Sequence, residues 1–211
     1  MASFDEHLRP QSPLRPDVAP LFAIFRRLDP EVAVATAMAI AHAGVPALEI
    51  TIESERSLEV VRRLRGELPG TAVGVGTVLD PTAVAAAVDA GAMFVVSPNV
   101  DESVIAACVG LGIPALPGAA TPTEALRAWQ AGASMVKLFP AATGGPAGLH
   151  AIHEPLPMIP LVAVGGVDGG NAKAYIEAGA SGVGIGSWIT AAGSPALAAE
   201  RAATVVRLLQ P

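Results

Sequence analysis

Lys137 lies in the run Ala133-Ser134-Met135-Val136-Lys137-Leu138-Phe139-Pro140, flanked on both sides by apolar residues that read as a buried strand. The other lysine of the chain, Lys173, falls in a surface-helix pattern. An unpaired ammonium in an apolar wall is costly, so the neutral amine, a nucleophile, is the cheaper state there. The run alone leaves a second reading open, a strand-end lysine that reaches water along its stem. Glu49 stands in Pro46-Ala47-Leu48-Glu49-Ile50-Thr51-Ile52. Strand alternation puts Glu49, Thr51 and Glu53 on one face and Leu48, Ile50 and Ile52 on the other. A carboxylate on an inward face is either a structural partner of an arginine or a proton-transfer group with a raised pKa. Gly165-Gly166 and Gly186-Ser187 expose backbone N–H groups and suit a phosphate cradle, although glycines there could also serve only tight turns. Together, a nucleophilic lysine, an interior carboxylate and a phosphate cradle describe iminium chemistry. The lysine condenses with a ketone, a neighbouring carbon–carbon bond breaks, and the carboxylate moves protons. This is class I aldolase chemistry, which needs no metal and no cofactor.

Such residues need a scaffold that brings them together. A helix end with glycine followed by an apolar strand recurs at Ala43-Gly44-Val45, Ala90-Gly91-Ala92, Leu111-Gly112-Ile113, Ala131-Gly132-Ala133 and Ala178-Gly179-Ala180, with Pro69-Gly70 in the same part. Glycine fits the left-handed residue that closes a helix. The apolar runs predict eight strands, over 21–25, 47–52, 72–78, 94–98, 114–117, 135–139, 161–164 and 182–185. Asp29-Pro30 and Asp80-Pro81 read as caps before a first-turn proline, and Thr121-Pro122-Thr123-Glu124 as a capping box. Eight strands alternating with helices predict an α/β protein of the (β/α)8, or TIM, barrel type. A doubly wound open sheet is the competitor, and no GxGxxG follows the first strand to support its dinucleotide version. Barrel chemistry sits at the C-terminal strand ends. There the sequence places Arg26, Glu49, Thr77, Ser97-Pro98-Asn99, Lys137 with Phe139, Gly165-Gly166 and Gly186-Ser187.

Composition narrows the class. The 211 residues, 52% hydrophobic and 15% charged, suit one barrel domain over 20–211 after a polar extension over 1–19. No stretch has the length of a membrane span, and the extension lacks the apolar core of a signal peptide. A cytoplasmic address is expected, in keeping with the single Cys108. A net charge of −6 without a basic stripe argues against nucleic acid. So few charges suggest outer faces covered in an oligomer.

The motifs Glu49-Ile50-Thr51, Gly76-Thr77-Val78-Leu79, Ser97-Pro98-Asn99, Pro117-Gly118 with Thr121-Pro122-Thr123-Glu124, Lys137-Leu138-Phe139-Pro140, Gly165-Gly166-Val167 and Gly186-Ser187 resemble, in this order, the 2-keto-3-deoxy-6-phosphogluconate and 4-hydroxy-2-oxoglutarate aldolases, with features of the 6-phosphogalactonate branch. The resemblance spans about residues 20–190. It implies a homotrimeric barrel that cleaves its phosphorylated keto acid to pyruvate and glyceraldehyde 3-phosphate. By position it implies Lys137 as the Schiff-base lysine and Glu49 as general acid/base. It further implies Thr77 near the pyruvyl carboxylate, Pro98 and Phe139 as pocket walls, and Gly165, Gly166, Gly186 and Ser187 as the phosphate cradle. Arg26 and Asn99 resemble residues of the galactonate branch. Glu53 departs from the pattern, since many gluconate enzymes carry an arginine there. A second carboxylate opposes a keto acid by about 1–4 kcal/mol at surface-like dielectric, unless it pairs with Arg26 or Arg56 or receives a substrate hydroxyl.

Other residues read as structural. His150 and His153 suit a solvated or capping role, Cys108 an inert core position, and Trp188 a packing role. Arg62, Arg63 and Arg65 suit a solvated helix face, with Glu59 and Glu67 at pairing spacing. A phosphate-binding isomerase or synthase barrel without covalent lysine chemistry, and a catalytically silent barrel, remain the other classes.

Overall fold

Alternation along each strand sends every second side chain to the helices and the rest to the barrel axis. The computed structural model describes residues 21–210, so the expected extension over 1–19 lies outside the described residues. Nine strand segments are β1 Leu21–Phe25, β2 Ala47–Thr51, β3 Ala72–Gly76, β4 Val95–Val96, β5 Ala115–Leu116, β6 Gly118–Ala119, β7 Val136–Leu138, β8 Leu161–Val164 and β9 Gly182–Ile185. The helices are α1 Pro30–His42, α2 Ser57–Glu67, α3 Pro81–Asp89, α4 Glu102–Gly110, α5 Pro122–Gln130, α6 Gly145–His153, α7 Ala172–Glu177, α8 Ser187–Thr190 and α9 Pro195–Leu209.

The sheet is parallel, in the order β5-β4-β3-β2-β1-β9-β8-β7-β6. Its two ends, β5 and β6, are separated in the chain only by Pro117, and the ring closes through them. Proline has no N–H for the ladder. It divides one physical strand in two, while its carbonyl still accepts from the Lys137 N–H at 2.9 Å. The eight-strand barrel is therefore present, and its fifth strand continues past the proline that was expected to end it.

Local chemistry sets the helix ends. Asp29 accepts from the N–H groups of Glu31 and Val32 at 2.9 and 3.1 Å, and Asp80 from Thr82 at 2.6 Å. The Glu124 N–H donates to Thr121 Oγ1 at 3.2 Å, and the Ala120 N–H to the Glu124 carboxylate at 2.9 Å. The glycines at 44, 91, 112, 132 and 179 all have the positive φ of a helix-closing residue. Gly70 does not, because α2 closes earlier, where the Leu68 N–H donates to the Leu64 carbonyl.

Two apolar layers result. The outer one packs strands against helices, with Leu48, Ile50, Val73 and Val136 among its residues. The inner one plugs the N-terminal end of the barrel with Phe22, Ala47, Ala72, Phe94, Met135 and Val162. Phe22 and Phe94 meet edge to face at 5.6 Å, a favoured aromatic geometry. Gly74 gives Phe94 its space, since a Cβ there would overlap the ring. Among the described residues no helix is long and apolar enough to cross a membrane.

Gly74→Ala is expected to destabilise the fold by about 1–3 kcal/mol through overpacking and to lower Tm by several degrees. Thermal and urea unfolding check this; an unchanged midpoint would show that the plug has slack.

Candidate active site

The polar residues of the barrel interior sit one step above the apolar plug. On β2, Ala47 belongs to the plug and Glu49, two residues on, to the next layer; Met135, just before β7, and Lys137 within it stand in the same relation. Both polar side chains are buried, Glu49 at 2% and Lys137 at 3% exposure. Lys137 is thus a wall residue of the interior, and the water-reaching alternative is set aside. Its Nζ lies 4.8 Å from the centre of the Phe139 ring, and Lys137 makes no ion pair among the described residues.

Glu49 Oε1 is buried without a hydrogen-bond partner. Burial pushes its carboxyl above the usual range. Lys137 and Arg26 oppose that shift, and Glu53 adds to it. Burial disfavours the charged form and is the largest of these effects. The ion-pair alternative for Glu49 therefore fails: the positive charges are near enough to be felt, but neither binds Oε1. Gly76 leaves the room this side chain uses, since a Cβ there would overlap the carboxylate.

Above Lys137 opens a cleft of about 350 Å³, lined by Lys137, Phe139 and Arg26 and, towards the last two strands, by Gly165, Gly166, Gly186 and Ser187. Gly165 and Gly166 follow β8 with φ of 91° and 78°, a conformation that costs glycine little. Ser187 opens α8, whose first N–H groups have no intrahelical acceptors. The two glycine loops therefore face the same space as the lysine.

Arg26 follows β1 and bridges to its neighbours. Nη1 donates to Glu53 Oε1 at 2.6 Å and Nη2 to Thr77 Oγ1 at 3.2 Å. The Glu53 departure thus resolves as a pair with Arg26, while Arg56 pairs with Glu59. Thr77 holds a φ of 59°, unusual for a β-branched residue and found where the surroundings over-determine the backbone.

Not every expected residue joins the cleft. Glu49, Thr77, Pro98 and Asn99 are outside its lining: Glu49 is buried beneath it, Thr77 is reached through Arg26, the Pro98 carbonyl packs where a Cβ of Gly118 would fall, and the Asn99 carbonyl accepts from Ser97 Oγ at 2.9 Å. Of the residues without a site role in the sequence that do line it, Asp168 is the charged one and Trp188 the aromatic one, beside the small or aliphatic Ile24, Val164, Val167 and Gly184. Trp188 packs as expected, under Arg201 at 5.3 Å, but also faces the cleft. The signal for Asp168 was its place directly after Gly165-Gly166-Val167. Asp168 Oδ1 accepts from the Gly170 N–H at 2.8 Å, a turn contact. Elsewhere Cys108 is buried in α4, where burial pushes its thiol up to about 12. His150 and His153 occupy the last turn of α6. Lys173 is exposed on α7, 3.8 Å from Glu177, and Arg63 pairs with both Glu31 and Glu67.

A closed parallel barrel with a buried lysine, an unpaired interior carboxylate and two glycine loops at the same strand ends defines a class of lyase-type barrel. The chain belongs to the KDPG and KHG aldolase family, which it matches over residues 15–208, and it is an aldolase. It is 39% identical to the 2-dehydro-3-deoxy-6-phosphogalactonate aldolase of Escherichia coli K12 over 193 residues, covering 89% of this chain and 93% of that protein. To the 2-dehydro-3-deoxy-phosphogluconate aldolase of Pseudomonas aeruginosa it is 39% identical over 160 residues, 75% of this chain and 71% of that one. A solved native KDPGal structure superposes with a TM-score of 0.86 at 36% identity, covering 95% of this chain and 96% of that one. The KDPG aldolase of Legionella pneumophila, solved with pyruvate captured as a covalent carbinolamine, superposes with a TM-score of 0.75 at 27% identity, covering 93% and 97%.

The raised Glu49 pKa has a stability consequence. The folded chain holds this proton to higher pH than the unfolded chain does, so the contribution of Glu49 to stability is full below its unfolded pKa and is lost as pH rises through the folded one. Glu49→Gln is therefore expected to be more stable than wild type at pH 8 and to match it near pH 4. Urea midpoints at the two pH values check the sign; a variant less stable at pH 8 would mean that the carboxylate is stabilised where it lies.

Proposed function

We propose that this chain cleaves a 2-keto-3-deoxy-6-phospho sugar acid to pyruvate and glyceraldehyde 3-phosphate through a Schiff base on Lys137. The observation that carries the reading is the buried Lys137 amine opening onto the cleft whose far end is the two glycine loops. The amine attacks the C2 ketone, and loss of water leaves an iminium. The C3–C4 bond then breaks. Its electrons pass to the iminium to form an enamine, and the C4 hydroxyl gives its proton to Glu49 as glyceraldehyde 3-phosphate departs. The enamine carbon takes a proton back, and water hydrolyses the iminium to pyruvate and free Lys137. Burial raises the Glu49 pKa, which makes its carboxylate a stronger base for the C4 hydroxyl proton than an exposed one.

In this reading Arg26 and Thr77 receive the substrate carboxylate and Phe139 flanks the pyruvyl unit. Gly165, Gly166, Gly186 and Ser187 cradle the phosphate. Pro98 and Asn99 act at the rim, on the strand end beside the cleft. A homotrimer in the cytoplasm completes the proposal. The barrel domain over 20–211 is its working unit.

Lys137→Ala is expected to reduce cleavage to background with the urea midpoint kept, and borohydride with pyruvate is expected to label wild type but not this variant. Turnover in Lys137→Ala would remove the covalent role. Glu49→Gln is expected still to form the adduct while exchanging the pyruvate methyl protons roughly 10²–10⁴-fold more slowly. Exchange at the wild-type rate would remove Glu49 from the mechanism.

A further inference from the structure

Glu53 stands where an anionic substrate makes a carboxylate unwelcome, yet its surroundings hold it in place. The turn carrying it is bonded on both sides. The Ile52 N–H donates to the Gly76 carbonyl at 2.8 Å, and Ser54 Oγ accepts from the Arg27 N–H at 2.9 Å. Ser54 Oγ also lies 3.0 Å from Thr51 Oγ1, which donates to the Phe25 carbonyl at 3.1 Å. The ends of β1, β2 and β3 are thereby locked together, with Arg26, Glu53 and Thr77 one from each. The Glu53 side chain is 25% exposed and that of Arg26 47%. A free surface pair of this kind would do little, but here one partner is built on a fixed turn and the other lines the cleft. Of the two anchors on Arg26, the charge-assisted bond to Glu53 is the stronger. Two of the five guanidinium N–H donors are engaged by these contacts, and among the described residues no side chain takes the rest.

Resting on the aldolase reading above, we propose that Glu53 is a positioning residue that aims the Arg26 guanidinium at the carboxylate of the keto acid. Its negative charge also reaches Glu49. The charged groups that bear on Glu49 are Lys137 from β7, Arg26 from the end of β1 and Glu53 from the turn after β2. Lys137 and Arg26 favour the ionised carboxylate and Glu53 disfavours it, so one residue serves both substrate aim and proton retention.

The test compares Glu53→Ala, Glu53→Gln, Arg26→Ala and the Arg26→Ala/Glu53→Ala double variant, with pyruvate as probe. Glu53→Ala is expected to raise the KM for pyruvate in methyl-proton exchange about tenfold with kcat kept within about threefold. Glu53→Gln, whose carbonyl still accepts from Arg26, is expected to restore KM to within about threefold of wild type. Once Arg26 is gone, removing Glu53 is expected to raise KM no further. The acid limb of the exchange pH profile is expected to move to lower pH in Glu53→Gln and to higher pH in Arg26→Ala. An undiminished KM effect in the double variant, or limbs moving in the same direction, would overturn the proposal while leaving the aldolase reading intact. Failure of wild type to give a borohydride adduct on Lys137 would overturn both.

Discussion

A carboxylate and an amine buried together above an apolar plug are the constraint from which the site follows. Water is excluded from below by Phe22, Phe94 and their neighbours, so Glu49 cannot shed its desolvation cost downwards. It is not fully neutralised from above either, because Lys137 and Arg26 act on it through space and leave Oε1 unbonded. The folded barrel tolerates that unpaired group because the rest of a large apolar core stabilises the chain. A buried, unpaired carboxyl of this kind is a mark of candidate functional sites.

Closure of the ring is what makes the interior dry. Pro117 interrupts the ladder at the point where the first and last segments of the sheet order meet, yet the strand runs on to Ala119 and pairs with β7. Gly118 is needed there because the Pro98 carbonyl approaches closely. The same register sets Lys137 between Gly118 and Val162, so the lysine has a small neighbour on one side and an apolar one on the other. At the mouth, where solvent screens charge, the chain uses charged groups: the Arg26–Glu53 ion pair, with the Thr77 hydroxyl, ties three strand ends together.

Much of this was legible before any fold was known. Lys137 and Glu49 stood out because a titratable residue inside an apolar strand violates the pattern around it. Three strands have the bounds the apolar runs predict, over 21–25, 161–164 and 182–185, because each is a continuous apolar run ended by glycine or charge. The strand expected over 94–98 shrinks to Val95–Val96, and that over 114–117 is divided and extended. A ladder is made by two strands, and one strand's apolar run does not state its partner's register. The same limit explains Pro98 and Asn99, which sit at a strand end but beside the cleft, and Asp168 and Trp188, which enter it through loops whose direction no local pattern encodes.

The amino-acid order alone determined the alternation of strand and helix, the caps and which titratable groups stand as candidates for the chemistry. These are short-range matters of propensity, periodicity and side-chain chemistry. Tertiary structure decided which groups share a space. The Glu49 oxygen became an orphan, Glu53 became the partner of Arg26 rather than of Arg56, and the two glycine loops came to face the lysine. Burial and Coulomb interaction depend on distance through space, and residues 27 and 51 positions apart become neighbours only when the barrel closes.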